Sequence, residues 1–254
     1  MDRIIDSVNY DYAAYKKALN SLCQRYGILH RSVIGKSCAG RDIVALKLGK
    51  SADYSLITAA FHGSEHITSV VLLMFIEELC EAIKNDGYIA GFRARRALSG
   101  RGVIFVPCVN PDGCEVSVLG AKGCGYLATN IGKLCGFDYK HWNANLRGVD
   151  INHNFNAGWE ELRMREQDMG IFGPSPTRYG GERPESEPET VALTNLCRRV
   201  NVDQVMALHT QGEEIYWRYG DKTPPQAERM AKILAASSGY KMADPVGTAS
   251  HGGF

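Results

Sequence analysis

The sequence has little net charge and no long hydrophobic run. Its 254 residues include 29 Lys and Arg against 28 Asp and Glu, for a formal net charge of +1, and the two signs alternate along the chain. Such a balance provides no electrostatic footprint for nucleic acid or an anionic membrane. No stretch approaches the roughly eighteen consecutive apolar residues that a membrane span needs. We therefore expect neither nucleic acid nor a membrane among its partners.

The cysteines form no C-x-x-C pair, although there are eight of them. Residues 1–19 have an acid at position 2 and no apolar core segment, which argues against a secretory signal. We therefore expect a cytoplasmic protein whose cysteines are reduced. The spacing of Cys114, Cys124 and Cys135 leaves open an alternative interpretation, a second metal site.

Apolar strand patterns alternate with helical patterns along the chain. Strands are predicted over residues 33–35, 41–48, 55–61, 103–109, 148–151 and 203–208, and helices over 11–26, 68–83, 186–199 and 224–238. Residues 110–113 form a strong turn signal, and 118–136 and 169–188 are predicted loops. No repeat or linker divides the chain. This order predicts one α/β domain over residues 1–254, an α/β/α sandwich with a mixed, mostly parallel central sheet.

The segment Phe61-His62-Gly63-Ser64-Glu65-His66 lies where a predicted strand ends and a helix begins. At this turn, the imidazole of His62 and the carboxylate of Glu65 are three residues apart and can face one point in space. That arrangement leaves room for a third metal ligand. Alone, the His-x-x-Glu spacing is a weak signal, so the missing ligand must come from elsewhere in the chain.

His209 supplies a third ligand, because it also follows an apolar strand. Open α/β sheets place their sites at the carboxyl edge of the strands. Two histidines and one glutamate that leave a fourth position open for water form the ligand set of hydrolytic zinc sites. We predict a metal site made of His62, Glu65 and His209. A core histidine without a ligand role remains the alternative for His209.

Four motifs in chain order resemble the zinc carboxypeptidase family of carboxypeptidases A and T. They are His62-Gly63-Ser64-Glu65, Asn110-Pro111-Asp112-Gly113, the segment 148–155 (GVDINHNF) and His209. Together they span the chain from about residue 10 to its end. Carboxypeptidase A binds zinc through two histidines and one glutamate. The resemblance therefore implies one Zn²⁺ per chain, held by the three predicted ligands.

Finer motifs are similar to one branch of that family, the bacterial γ-D-glutamyl-diaminopimelate endopeptidases. These motifs lie at residues 156–160, 179–181, 186–190 and 209–217. Enzymes of that branch cut between γ-linked D-glutamate and the diamino acid of peptidoglycan stem peptides, so the resemblance implies a murein peptide as substrate. Three alternatives stay open: a metallocarboxypeptidase on ordinary peptides, a hydrolase of N-acyl amino acids, and a non-catalytic, zinc-containing module that binds murein peptides.

The resemblance also implies roles for residues 150–153. Asp150 would accept a hydrogen bond from the free ring nitrogen of His62 and so fix its tautomer. Asn152 matches a position that helps to hold the terminal carboxylate of the substrate. His153 stands where the carboxypeptidases have an arginine, and a histidine cannot form the same bidentate fork with a carboxylate. This departure favours the murein branch over removal of single C-terminal residues.

Three further residues are candidate substrate contacts. Arg147 would polarise the scissile carbonyl or bind a substrate carboxylate, although a surface salt bridge is an alternative role. Gln211 and Glu213 lie next to a predicted zinc ligand and would line the substrate site, although structural roles are an alternative for both.

The resemblance implies one more residue, a general-base glutamate in a strand beyond a Gly-Gly segment like Gly252-Gly253. No residue of the chain matches it. We therefore expect a chain that lacks the last strand and final helix of a longer protein; a domain that has lost its base is the alternative. General-base assistance is typically worth about 10²–10⁴ in rate. For the complete protein, the implied mechanism is hydrolysis by a zinc-activated water.

Overall fold

Helices and strands alternate through a computed structural model that describes residues 3–5, 11–219, 223–244 and 254. Gly252-Gly253, the segment beyond which the resemblance implies the general base, lies outside these residues. The helices are α1 (Tyr12–Arg25), α2 (Ile67–Lys84), α3 (Ala94–Ala97), α4 (Pro111–Leu119), α5 (Ala128–Leu134), α6 (Trp159–Asp168), α7 (Pro188–Arg199) and α8 (Ala227–Ser238). The strands are β1 (His30–Lys36), β2 (Asp42–Gly49), β3 (Asp53–Ala59), β4 (Tyr88–Ile89), β5 (Phe92–Arg93), β6 (Gly102–Val106), β7 (Asn201–Leu208), β8 (Glu214–Tyr216) and β9 (Lys241–Ala243).

The central sheet has five strands in the order β1-β2-β6-β3-β7. The pairings β1–β2 and β2–β6 are antiparallel, whereas β6–β3 and β3–β7 are parallel. The predicted α/β fold with a mixed sheet is therefore confirmed, and within this central sheet the parallel pairs join β6, β3 and β7. Since β3 pairs with β7 up to Ala59 and Leu208, the residues that follow these two strands meet at one edge of the sheet.

Buried side chains on both faces of the sheet explain why helices cover both sides. In β2, Val44 and Leu46 pack into one cluster, and the alternate residues Ile43 and Ala45 pack into another, as the two-residue period of a strand requires. The first cluster joins α1 and α2 to the sheet, and the second joins α7 to it. Each fully buried Leu or Ile contributes about 1.5–3 kcal/mol. The result is the predicted α/β/α layering.

Local capping changes two of the predicted elements. Residues 148–151, predicted as a strand, form a loop that leads into a 3₁₀ turn at Ile151–His153. The carboxylate of Asp150 accepts a hydrogen bond from the Asn152 N–H, and such short side-chain bonds compete with strand pairing. The predicted turn at 110–113 begins α4 instead, with Asn110 as N-cap and Pro111 in the first turn.

The predicted loop 118–136 contains α5 and a 3₁₀ segment, Gly120–Leu127. This excursion has its own small core, in which Ile131 and Trp142 are fully buried. The predicted loop 169–188 is irregular up to the start of α7. Within the described ranges, no helix has both the length and the apolar character to cross a membrane. All eight cysteines are described, and each is a free thiol.

Candidate metal centre

The structure brings His62, Glu65 and His209 together at the carboxyl edge of the sheet. His62 precedes a single 3₁₀ turn that follows β3, Glu65 is the last residue of that turn, and His209 comes directly after β7. Glu65 Oε2 lies 3.2 Å from His62 Nδ1 and 2.9 Å from His209 Nδ1. One ligand atom from each residue lies within 4.8 Å of the other two. Their donor atoms therefore converge closely enough to share one metal ion.

A glycine holds the ligand turn close to its surroundings. A Cβ atom on Gly63 would lie 2.3 Å from the Gly113 carbonyl oxygen and 2.6 Å from that of Trp142, which no side chain can tolerate. The next residues are clamped by Thr68, whose hydroxyl donates to the Glu65 carbonyl and accepts from the Ala60 N–H. The two ligands of this turn are thus set by backbone packing as well as by spacing.

Asn110 supports the same turn from the neighbouring strand end. Its side-chain amide donates 2.9 Å to the Phe61 carbonyl oxygen, and its backbone N–H donates to that of Ala60. Its side-chain oxygen accepts the Gly113 N–H and caps α4. The sequence showed Asn110-Pro111 only as a turn, and the Asn-Pro pair is the signal that could have indicated a helix cap here.

Asp150 orients His62. Its Oδ1 lies 3.2 Å from His62 Nε2, and its Oδ2 accepts the Arg178 N–H at 2.9 Å. Because the carboxylate occupies Nε2, the other ring nitrogen, Nδ1, faces Glu65 and His209. Nδ1 is buried and has no hydrogen-bond partner among the described residues. Asp150 is therefore in contact with His62, and its role in fixing the His62 tautomer stays a prediction.

The centre concentrates charge. Burial by itself would lower the pKa of His62, but the carboxylates of Asp150 and Glu65 raise it to about 10. Burial would raise the pKa of Glu65, but His209 and His62 hold it at about 2. Metal-free, His62 therefore carries a proton between two carboxylates, and a metal ion must displace that proton.

A zinc ion fits these residues. Zinc in hydrolytic sites takes imidazole nitrogens and a carboxylate oxygen, and Nδ1 of His62, which faces Glu65 at 3.2 Å without hydrogen-bond geometry, is such a donor. His62 and Glu65 are 14% and 9% exposed, whereas His209 is 31% exposed. The donors are therefore buried on one side and open on the other, so a water or substrate could occupy a fourth position.

The neighbours of Asp150 have partners of their own. Asn152 Oδ1 accepts the Phe254 N–H at 3.3 Å. His153 is buried, and its Nδ1 lies 2.8 Å from Glu166 Oε1. Burial would lower the pKa of His153, but Asp150 and Glu166 raise it. The substrate-binding roles of Asn152 and His153 stay predictions.

The other candidate contacts lie in more exposed places. Arg147 has a 59% exposed side chain, and its Nη1 is 3.7 Å from Glu187 Oε2. Gln211 and Glu213 are exposed in the loop after His209, with left-handed backbone φ angles of 82° and 50°. No contact with the three ligands is among those found for these side chains within the described residues, so their roles also stay predictions.

A second group of possible ligands is formed by Cys38, Glu187 and Glu189 rather than by the cysteines of residues 114–135. The amide of Asn145 donates 2.7 Å to Glu187 and 3.2 Å to Glu189, which places a hydrogen-bond donor inside the group. Because Asn145 Oδ1 accepts the Arg147 and Val149 N–H groups, the amide cannot turn round. The group is a buried hydrogen-bond network that joins α7 to the loop before Asp150.

Two histidines and one glutamate that converge at the carboxyl edge of a mixed α/β sheet are typical of the metallohydrolase class. The chain belongs to the zinc carboxypeptidase family, whose sequence profile matches residues 15–251. The resemblance noted in the sequence is thereby confirmed, and family membership implies Zn²⁺ as the metal.

Individual relatives agree with this assignment. Gamma-D-glutamyl-L-diamino acid endopeptidase 1 of Lysinibacillus sphaericus is 31% identical over 92% of this chain and 58% of its own length. Murein peptide amidase A of Escherichia coli K12 is 25% identical over 69% of this chain and 57% of its own length. The fold resembles that of carboxypeptidase A from Helicoverpa armigera, with a TM-score of 0.68 at 20% identity, over 96% of this chain and 60% of that one. The chain thus spans somewhat over half the length of these relatives.

Proposed function

We propose that this protein hydrolyses peptidoglycan stem peptides at the bond between γ-linked D-glutamate and the diamino acid, with one zinc ion per chain. The observation that carries the proposal is the convergence of His62, Glu65 and His209 at an open sheet edge. Two relatives, a gamma-D-glutamyl-L-diamino acid endopeptidase and a murein peptide amidase, support the choice of substrate.

The residues of the centre have distinct tasks in this proposal. Zinc, when bound, would activate a water and polarise the scissile carbonyl. His62 and His209 would present neutral nitrogens to the ion, and Asp150 would keep the proton of His62 on Nε2, away from it. Arg147 is the candidate for stabilising the developing oxyanion. The general base that the resemblance implies is not assigned to any described residue.

The test is cleavage of L-Ala-γ-D-Glu-meso-diaminopimelate by the zinc-loaded product of the complete gene, followed by mass spectrometry. We expect release of diaminopimelate that stops when zinc is removed by a chelator. His209→Ala should lose both zinc and activity, because only two of the three predicted ligands, His62 and Glu65, would remain. A His209→Ala variant with full activity would refute the assignment. Bound zinc at one ion per chain without any cleavage would favour the murein-peptide-binding module instead.

A further inference from the structure

Arg178 is held against the partners of the metal centre by its backbone. Its N–H donates 2.9 Å to Oδ2 of Asp150, the carboxylate that orients His62. Its carbonyl oxygen lies 3.1 Å from Nδ1 of His153. The next residue, Tyr179, is buried, and its carbonyl accepts the Asp150 N–H at 2.8 Å. The backbone at Arg178 is therefore fixed next to the residue behind a zinc ligand.

The conformation of Arg178 is unusual for its residue type. Its φ angle is +67°, in the left-handed region that residues other than glycine rarely adopt. Such conformations persist where surrounding contacts impose them, and they concentrate at functional sites. A glycine at this position would adopt the same φ angle without this cost, but it would have no side chain. The position thus carries an arginine despite an unfavourable backbone conformation.

The side chain of Arg178 is available to a ligand. It is exposed and makes no hydrogen bond or ion pair with the residues that the structure describes. Nearby guanidinium groups are engaged: that of Arg163 pairs with Glu166 and lies 4.8 Å from the ring centre of Tyr179. Arg147 lies beside the buried carboxylate of Glu187. Arg178 thus carries a positive charge without a counter-ion among the described residues, on a backbone bonded to the carboxylate behind His62.

The proposed substrate carries a matching group. When glutamate is linked through its γ-carboxyl, its α-carboxylate stays free, a short alkyl chain from the scissile carbonyl. An ordinary peptide has no main-chain carboxylate at that place. A guanidinium fork binds such a carboxylate through two parallel charge-assisted hydrogen bonds. The scissile carbonyl must lie at the metal, and the backbone of Arg178 is bonded to the carboxylate that orients His62, so this side chain is the candidate partner for that group.

We propose that Arg178 binds the free α-carboxylate of the γ-linked glutamyl residue and so makes the site selective for γ-linked over ordinary peptides. This inference rests on the proposed function. In this proposal Arg147 stabilises the developing oxyanion, and Arg178 is the contact that determines substrate specificity.

The test compares L-Ala-γ-D-Glu-meso-diaminopimelate with its analogue in which the glutamyl α-carboxylate is an α-carboxamide. The wild-type protein should prefer the carboxylate in kcat/KM by about 10- to 100-fold, the range expected for hydrogen bonds to a charged group. Arg178→Gln should remove that preference and leave zinc content at the wild-type value. Arg178→Lys should restore it only in part, since an ammonium lacks the planar fork. A carboxylate preference that survives in Arg178→Gln would overturn the proposal.

Arg101→Gln is the matched control, because Arg101 is an exposed arginine that precedes β6, at the opposite edge of the sheet. It should keep the wild-type preference.

A binding measurement separates this proposal from the proposed function. Calorimetry with the zinc-loaded protein compares L-Ala-D-Glu with its α-amide, and no turnover is needed. If the wild type binds the carboxylate ligand more tightly than the amide, and Arg178→Gln abolishes this difference, the proposed role of Arg178 is supported. This holds even if the wild type cleaves neither peptide, because then only the proposed reaction fails. Equal binding of the two ligands by the wild type, or no binding of either, would overturn the role of Arg178.

Discussion

Asp150→Asn should weaken zinc binding without unfolding the protein. The substitution preserves the shape of a buried side chain but replaces one carboxylate oxygen by an amide NH₂. Asp150 accepts the Asn152 and Arg178 N–H groups and lies 3.2 Å from His62 Nε2. An asparagine has one acceptor oxygen for these donors. If its NH₂ faces Nε2, the His62 proton must move to Nδ1, the atom that would bind zinc.

The expected loss follows from the indirect role of Asp150. Replacing a residue that orients a metal ligand typically costs about 10–100-fold in metal affinity. This corresponds to about 1.4–2.7 kcal/mol of binding free energy. Zinc Kd values measured by competition with a fluorescent chelator at constant pH would show the change. Long-range ¹H–¹⁵N spectra of the zinc-loaded wild type should show the His62 proton on Nε2.

Asp203→Asn is the control for a lost negative charge, since Asp203 is exposed on β7. It should leave the zinc Kd within about twofold of the wild-type value, because a solvent-exposed charge contributes little. If Asp150→Asn binds zinc as tightly as the wild type, Asp150 does not control the His62 tautomer and the reasoning from its position is wrong.

Two further predictions concern stability. Gly63→Ala should lower the free energy of unfolding by about 1–3 kcal/mol in urea titrations, because the new Cβ would overlap the Gly113 and Trp142 carbonyl oxygens. Gly87→Ala, whose Cβ would meet only ordinary contacts, is the control, and an equal loss in both variants would argue against tight packing at the ligand turn. Burial raises the pKa of Glu189 to about 7, so the folded protein binds this proton more tightly than the unfolded chain does. The resulting contribution to stability is complete below the pKa that Glu189 has in the unfolded chain. It is lost as pH rises through about 7. The wild type should therefore lose stability relative to Glu189→Gln between about pH 5 and about pH 8, and parallel pH profiles for the two proteins would contradict this.

The metal-free centre contains oppositely charged groups that attract one another. His62, Glu65 and Asp150 form a chain of opposite charges in which the histidine pKa is raised and both carboxyl pKa values are lowered. These attractions hold the ligands close together before any ion binds. Such preorganisation reduces the cost of ordering the ligands on binding, although the displaced proton makes zinc affinity depend on pH.

The five strands of the central sheet, the main helices and the three candidate ligands could be predicted from local sequence, whereas the strand predicted over 148–151 was wrong. Hydrophobic periodicity is a local property, so β3, α2 and β7 could be predicted from their own residues. His62 and Glu65 share one turn, and His209 was recognisable because it ends a strand. The family resemblance added Asp150, which no local pattern would have linked to His62.

Which segments meet depends on the three-dimensional fold. The pairing of β7 with β3 brings His209 to Glu65 across 144 positions of sequence, and this depends on sheet order rather than on either strand alone. The Asp150 segment became a capped turn because its side chain bonds to the local backbone. Arg178 showed no sequence signal, since its place behind Asp150 and its left-handed φ arise from loop packing. Contacts between distant segments depend on register and packing together, and periodicity carries information about neither.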